Sequence, residues 1–262
     1  MIKNAIRRAY HLFSERRRST WVPDTVYPDD TFIVSYPKSG NTWVRFLLAN
    51  ALYPNTDVDF HTIHELIPEV GEEGKRRSEL PLPRLLKSHA PYRAAYPKVI
   101  YILRDGRDVY TSYYHYRQPD FDEETTFENF LKGGRWPSRW GEHVRGWMNA
   151  AKEKDNILVV RFEDIKKNST RELKRMVEFL NPGEVQLFSN SRLQQAVEVS
   201  SFENMKRLEQ ERGRKYGSVD QFMRKGKAGS WQEMFTDRAR EIFKRKDGKA
   251  LIECGYEENE SW

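Results

Sequence analysis

Lys38, Ser39, Gly40 and Thr42 crowd the segment Tyr36-Pro37-Lys38-Ser39-Gly40-Asn41-Thr42-Trp43, and residues of these types bind anions. Lys38 brings a mobile charge, Ser39 and Thr42 bring hydroxyls, and Gly40 lets the backbone approach a ligand closely. Ahead of them, Thr31-Phe32-Ile33-Val34-Ser35 is β-branched and aromatic and predicts a buried strand. Behind them, the apolar run from Trp43 to Leu52 predicts a buried helix. A strand, a tight turn and a helix leave backbone N–H groups at the positive end of the helix dipole, where a phosphate fits. The turn is not a Walker A loop, because Lys38 lies two residues before Gly40 instead of directly before a Ser/Thr.

Three later segments carry comparable chemistry. Leu85-Leu86-Lys87-Ser88-His89-Ala90-Pro91 closes an apolar stretch with a lysine and a histidine, and a neutral imidazole is suited to take a proton near pH 7. Arg104-Asp105-Gly106-Arg107-Asp108 follows the strand-like Val99-Ile100-Tyr101-Ile102-Leu103 and leads into Val109-Tyr110-Thr111-Ser112-Tyr113-Tyr114-His115. An arginine fork with a hydroxyl such as Ser112 recognises a phosphate monoester; Arg107 and Asp108 read as surface ion pairs. Arg224-Lys225-Gly226-Lys227-Ala228-Gly229-Ser230-Trp231 is a basic glycine loop.

The elements that would position these groups alternate between strand and helix. Strand-like runs fall near 31–36, 83–88, 98–103 and 157–162. Trp140, Val144, Trp147 and Ala151 share a helical face, and Ser169-Thr170-Arg171-Glu172 has the pattern of a capping box before a helix with Leu173, Val177 and Leu180 inward, stopped by Asn181-Pro182-Gly183. The pattern predicts an α/β fold, a central parallel sheet flanked by helices in one domain over 1–262. Ligands bind beyond the C-terminal strand ends of such sheets, where Lys38, His89 and Arg104 all fall. Residues 71–83 read as an exposed loop, 117–136 as an aromatic loop able to form a lid, and 211–231 as a nucleotide-capping loop, mobile without ligand.

Composition narrows the class. A net charge of +6 with 32% charged residues suits an anionic ligand, and equally RNA or an anionic membrane surface. The single cysteine, Cys254, rules out an internal disulfide and a cysteine metal cluster, and predicts a reducing, cytoplasmic location. No apolar run reaches the ~20 residues of a membrane span. Residues 1–20 form a basic amphipathic pattern, with Ile2, Ile6, Ala9 and Phe13 on one face, read as a terminal helix packed on the domain.

Taken in order, the four segments resemble those of the cytosolic sulfotransferases, which move a sulfuryl group from 3′-phosphoadenosine 5′-phosphosulfate (PAPS) to an acceptor and release adenosine 3′,5′-bisphosphate (PAP). The resemblance runs from about Thr31 to Trp231. It implies a P-loop-like nucleotide fold and a set of roles. Lys38, Ser39, Gly40, Asn41 and Thr42 hold the 5′-phosphate, with Lys38 assisting the leaving oxygen. Trp43 stacks on adenine, beside Phe162, Ser201 and Phe202. Arg104, Ser112, Arg224, Lys225 and Gly226 take the 3′-phosphate. His89 is the base and Lys87 the second catalytic lysine. Tyr113, Tyr114 and His115 face a small-molecule acceptor, whose aromatic pocket draws on Phe60, Tyr116, Phe121 and Trp136 if these are not core. No metal, nucleic acid or integral membrane contact is implied, and a monomer or weak homodimer is expected, since Thr236-Asp237 breaks the family's dimer pattern. Further departures are Ser88 for Thr, Phe162 for the usual Tyr, and Ser230 where Asp usually precedes the Trp.

Two other readings use the same residues. An ATP-dependent small-molecule kinase would need a Mg²⁺-binding carboxylate near the loop, for which Asp105 and Asp108 are the nearby candidates. A non-catalytic anion- or RNA-binding protein would rest on the basic residues alone.

Overall fold

In a computed structural model that describes residues 25–71, 80, 83–118, 121, 125–133, 137–214, 223–224 and 226–262, the four strands appear where the apolar runs place them. They are β1 (Thr31–Ser35), β2 (Leu85–Ser88), β3 (Lys98–Leu103) and β4 (Ile157–Arg161). They pair in parallel in the order β2-β1-β3-β4. Parallel strands buried on both faces read as continuous apolar runs, which is why the sequence shows no polar alternation here.

The pleat divides the core. Phe32, Val34, Leu86, Val99, Tyr101 and Leu103 face one layer, and Ile33, Leu85, Ile100, Ile102 and Val160 face the other. The longer helices that cover the second layer are α1 (Asn41–Leu52), α5 (Ser169–Leu180), α6 (Asn190–Val199) and α7 (Phe202–Arg212). The first layer is covered by α2 (Gly106–Arg117), by α3 (Trp140–Glu153) and by short helices at Phe127–Lys132, Asp237–Phe243 and Lys249–Glu253. As the spacing implies, Trp140, Val144 and Trp147 are buried, as are Leu173, Val177 and Leu180.

Four expectations need correction. Phe162 does not end β4; it opens the short helix α4 (Phe162–Lys167). Helix α5 is capped by Asn168, whose side chain accepts from the Arg171 N–H at 3.0 Å, while Glu172 is buried against Arg171 and Arg175 instead of closing a capping box. The 117–136 stretch is not all loop, because the helix at Phe127–Lys132 buries Phe127, Phe130 and Leu131. Arg107 and Asp108 are not surface residues; they are 4% and 1% exposed. The expected helix at 1–20, most of the 71–83 loop, Trp136 and Lys225 lie outside the described residues.

Candidate active site

The turn after β1 has the geometry of an anion cradle. Gly40 caps α1 with φ 97°, a left-handed conformation that glycine adopts cheaply. A Cβ at Gly40 would stand 2.7 Å from Cδ2 of Phe162. Lys38 also takes a positive φ of 71°. Among the described residues no side chain caps the first turn of α1, and no acidic residue lies in it, so its N–H groups and the positive dipole end suit an anion. Asn41 secures the turn from below, donating from Nδ2 to the Ile33 carbonyl at 3.0 Å and to Ser35 Oγ at 3.2 Å.

Cations gather above this cradle. Nζ of Lys38 lies 4.2 Å from the centre of the Tyr116 ring. Burial, then the charges of Arg214, Arg104 and Lys87, hold the Lys38 ammonium well below the usual lysine range, with Glu209 opposing them. Arg104 donates to the Lys38 carbonyl at 2.9 Å and to the Lys227 carbonyl at 3.1 Å, and its guanidinium lies 4.2 Å from the Phe162 ring centre. Burial pulls Arg104 down, against the charges of Asp108, Glu163 and Asp105. Arg224 feels the charge of Arg104 and completes the cluster. Ser112 is half-buried on the second turn of α2.

The site passes a test for a phosphorylated nucleotide. Ser39 Oγ and Arg104 Nε are buried and have no hydrogen-bond partner among the described residues. Buried polar groups in folded proteins normally have one, so an anion with several acceptor oxygens fits here. Beside it, Trp43 donates from Nε1 to the Ser200 carbonyl at 2.9 Å and meets Phe162 edge-on, with ring centres 5.6 Å apart. Ser201 caps α7, and Phe202 packs so closely on Gly226 that a Cβ there would come within 2.3 Å of its ring.

His89 reaches the same rim from β2. Its Nδ1 lies 2.7 Å from the Ser35 carbonyl, and the ring is 8% exposed. A carbonyl only accepts, so Nδ1 carries the proton and Nε2 keeps a lone pair. Lys87, two residues earlier, lies 2.9 Å from Glu69. His143 has a different role: burial pushes it down to about 4, and its Nδ1 meets the Tyr101 hydroxyl at 3.0 Å, so it is a neutral core imidazole.

Sequence reasoning missed the frame that holds residues 229–231, at the end of the expected capping loop. Asp108 accepts from the N–H groups of Gly229 at 2.7 Å and Trp231 at 2.9 Å, and from the Ser230 hydroxyl at 3.2 Å. Ser230, which stands where the resembled family has Asp, thus serves as a donor. Arg107 binds Asp105 and Glu257 and packs against the rings of Trp231 and Trp262, 4.0 and 4.5 Å from their centres. Both carboxylates that a kinase would need are therefore committed to this frame.

The aromatic residues separate. Tyr113 is buried against Tyr36 and Phe130, and Tyr114 packs on Phe121, Phe127 and Phe130 while donating to the Thr125 carbonyl at 3.0 Å. Phe60 is buried in the opposite layer against Phe46. His115 is half-buried, edge-on to Tyr114.

A parallel α/β sheet with an anion-binding geometry at one strand end and an imidazole at the next fits a nucleotide-dependent group-transfer enzyme. The family model for the sulfotransferase domain matches residues 28–254. Human Sulfotransferase 1C2 is 30% identical over 261 residues, covering 87% of this chain and 86% of the human one. Sulfotransferase 1B1 of Canis lupus familiaris is 33% identical over 247 residues, covering 82% and 81%. The crystal structure of mouse sulfotransferase SULT7A1 complexed with PAP superposes with a TM-score of 0.65 at 25% identity, covering 88% of this chain and 89% of the mouse one. Retinol dehydratase in a complex with retinol and PAP has the same fold, with a TM-score of 0.67 at 20% identity over 87% of this chain and 82% of its own. The chain belongs to the sulfotransferase family. It is a PAPS-dependent enzyme that transfers a sulfuryl group to a small-molecule acceptor. Among the described residues no helix is long and apolar enough to cross a membrane.

Proposed function

We propose that this chain, as one catalytic domain, sulfates a hydroxyl or amine of a small acceptor by in-line transfer, with His89 as the base. The observation that supports it is the His89 Nδ1–Ser35 carbonyl bond at 2.7 Å, which makes Nε2 the basic nitrogen of a ring that follows β2, the strand beside β1 and its Lys38 turn. PAPS, when bound, supplies the sulfuryl group and a phosphate leaving group.

The first-turn amides of α1, with Lys38, Ser39 and Thr42, would hold the 5′-phosphate, and Lys38 would meet charge developing on the leaving oxygen. Arg104, Ser112, Arg224, Lys225 and Gly226 would hold the 3′-phosphate. Trp43, Phe162, Ser201 and Phe202 would enclose the adenine, where one ring face is typically worth ~1–3 kcal/mol. Lys87 would face the sulfuryl oxygens. His89 takes the acceptor proton as the acceptor oxygen or nitrogen attacks. Tyr116 lies over Lys38 and is a better candidate for the acceptor side than Tyr113 or Tyr114, whose rings are engaged in core packing; His115 remains a candidate at the rim. The cationic lining and the uncapped α1 support this reading over binding of RNA. A cytoplasmic location and a monomeric or weakly dimeric state belong to the same proposal.

Incubation with labelled PAPS and a metabolite panel, read by mass spectrometry for a gain of SO₃, tests the activity. Thermal stabilisation by PAP without metal, exceeding that by ATP–Mg²⁺, supports the nucleotide assignment; the reverse order refutes it.

A further inference from the structure

Lys87 is held by a residue that belongs to none of the four motifs. Its Nζ lies 2.9 Å from Oε2 of Glu69, and Glu69 is only 4% exposed. The backbone around the pair is matched as well. The Lys87 N–H donates to the Pro68 carbonyl at 2.7 Å, and the Lys87 carbonyl accepts from the Val70 N–H at 2.9 Å. These two bonds form a parallel bridge that lays residues 68–70 beside β2. They fix that segment without help from the side chains, so the ion pair is not required as a staple.

The surroundings give the carboxylate a clearer purpose. Lys87 stands close enough to Lys38 for the two charges to oppose each other, and Arg104 and Arg214 add to the same field. A flexible ammonium in such a field swings away from its neighbours unless a fixed negative charge restrains it. Exposed ion pairs contribute little of this kind, but here both partners are shielded, at 16% and 5% side-chain exposure. Lys87 sits just before His89 on the strand that delivers the base, so its direction matters to the reacting atoms.

We propose that Glu69 is a positioning residue for sulfuryl transfer, which restrains the Lys87 ammonium at the end of β2 and supplies its counter-charge. The proposal rests on the role of Lys87 given above.

Acylation of lysines in the ligand-free protein tests it without PAPS or acceptor. An amine reacts with acetic anhydride only after losing its proton, and a carboxylate at hydrogen-bond distance opposes that loss. Mass spectrometry of the Lys87 peptide is expected to show labelling ~10-fold faster in Glu69→Gln than in the wild type, with Glu69→Asp between them. Equal rates in wild type and Glu69→Gln overturn the proposal, even if transfer itself stands.

A double-mutant cycle supplies the second readout. Glu69→Gln is expected to lower kcat by ~10-fold or more while the PAP dissociation constant stays within ~2-fold. Adding Lys87→Met to it should make kcat no lower than Lys87→Met alone. Additive losses would overturn the proposal, as would an unchanged kcat. Should Glu69→Gln fail to fold, Glu69→Asp takes its place in both arms, with the same expected directions and the same overturning results.

Discussion

The His89 imidazole hangs from the backbone carbonyl of Ser35, with Nδ1 2.7 Å from that oxygen. Ser35 ends β1, the strand whose continuation is the Lys38 turn. One strand end therefore sets both the tautomer of His89 and the position of the Lys38 turn. The Ser35 side chain adds to this relation, with Oγ 3.4 Å from the same His89 nitrogen and accepting from Asn41 Nδ2 at 3.2 Å.

Gly40→Ala should damage folding and binding together. The left-handed φ costs an L-residue about 1–2 kcal/mol, and the added Cβ would meet Phe162 at 2.7 Å. The expected outcome is a lower unfolding midpoint and PAP affinity weaker by ~10-fold or more, read by urea titration and isothermal calorimetry. Wild-type PAP affinity in this variant would show that the cradle does not need its glycine.

Asp108→Asn should release the capping loop. The variant keeps the shape of the side chain but replaces one of two acceptor oxygens, which serve two backbone N–H groups and a hydroxyl. Leaving such a group unsatisfied typically costs ~1–3 kcal/mol. Stopped-flow measurement is expected to show faster PAP release with little change in the association rate. An unchanged release rate would mean that the frame does not control the loop.

Lys38 predicts a pH dependence of stability with a definite sign. Unfolded, it keeps its proton up to its ordinary value of 10.5; folded, burial and the nearby Arg214 and Arg104 make it give the proton up earlier. Between the folded and ordinary values the unfolded chain binds more protons, so this residue makes stability rise with pH there; below the folded value its full penalty remains. Ligand-free Lys38→Met should therefore be more stable than the wild type at pH 7, with the gap closing towards pH 10.5, while PAP binding weakens. Parallel stability curves for the two proteins, from urea unfolding across that range, would remove the assignment.

The strand ends that frame this candidate site are legible in the sequence, because each is local. A β-branched run before Lys38, an apolar stretch before His89 and another before Arg104 each announce a strand end, and parallel strands bring their ends together. What the sequence hides is long-range. Nothing near Asp108 signals Trp231, nothing near Arg107 signals Glu257, and nothing near Glu69 signals Lys87, since each pair is joined only by the packed fold. Local charge then misleads: Arg107-Asp108 looks like solvated surface, yet both side chains are buried. Composition also does not say how far aromatic residues beside a site pack into the core, as Tyr113 does fully and Tyr114 in part. At Asn168 the error is one of register, because Asn and Ser are both good caps and only the backbone decides between them.

The direct measurement is steady-state sulfation by His89→Ala, paired with PAP binding by calorimetry. A positioned general base typically contributes 10²–10⁴-fold, so kcat should fall by about that factor while the PAP dissociation constant stays within ~2-fold of the wild type. Turnover at the wild-type rate would contradict the role given to the imidazole on Ser35.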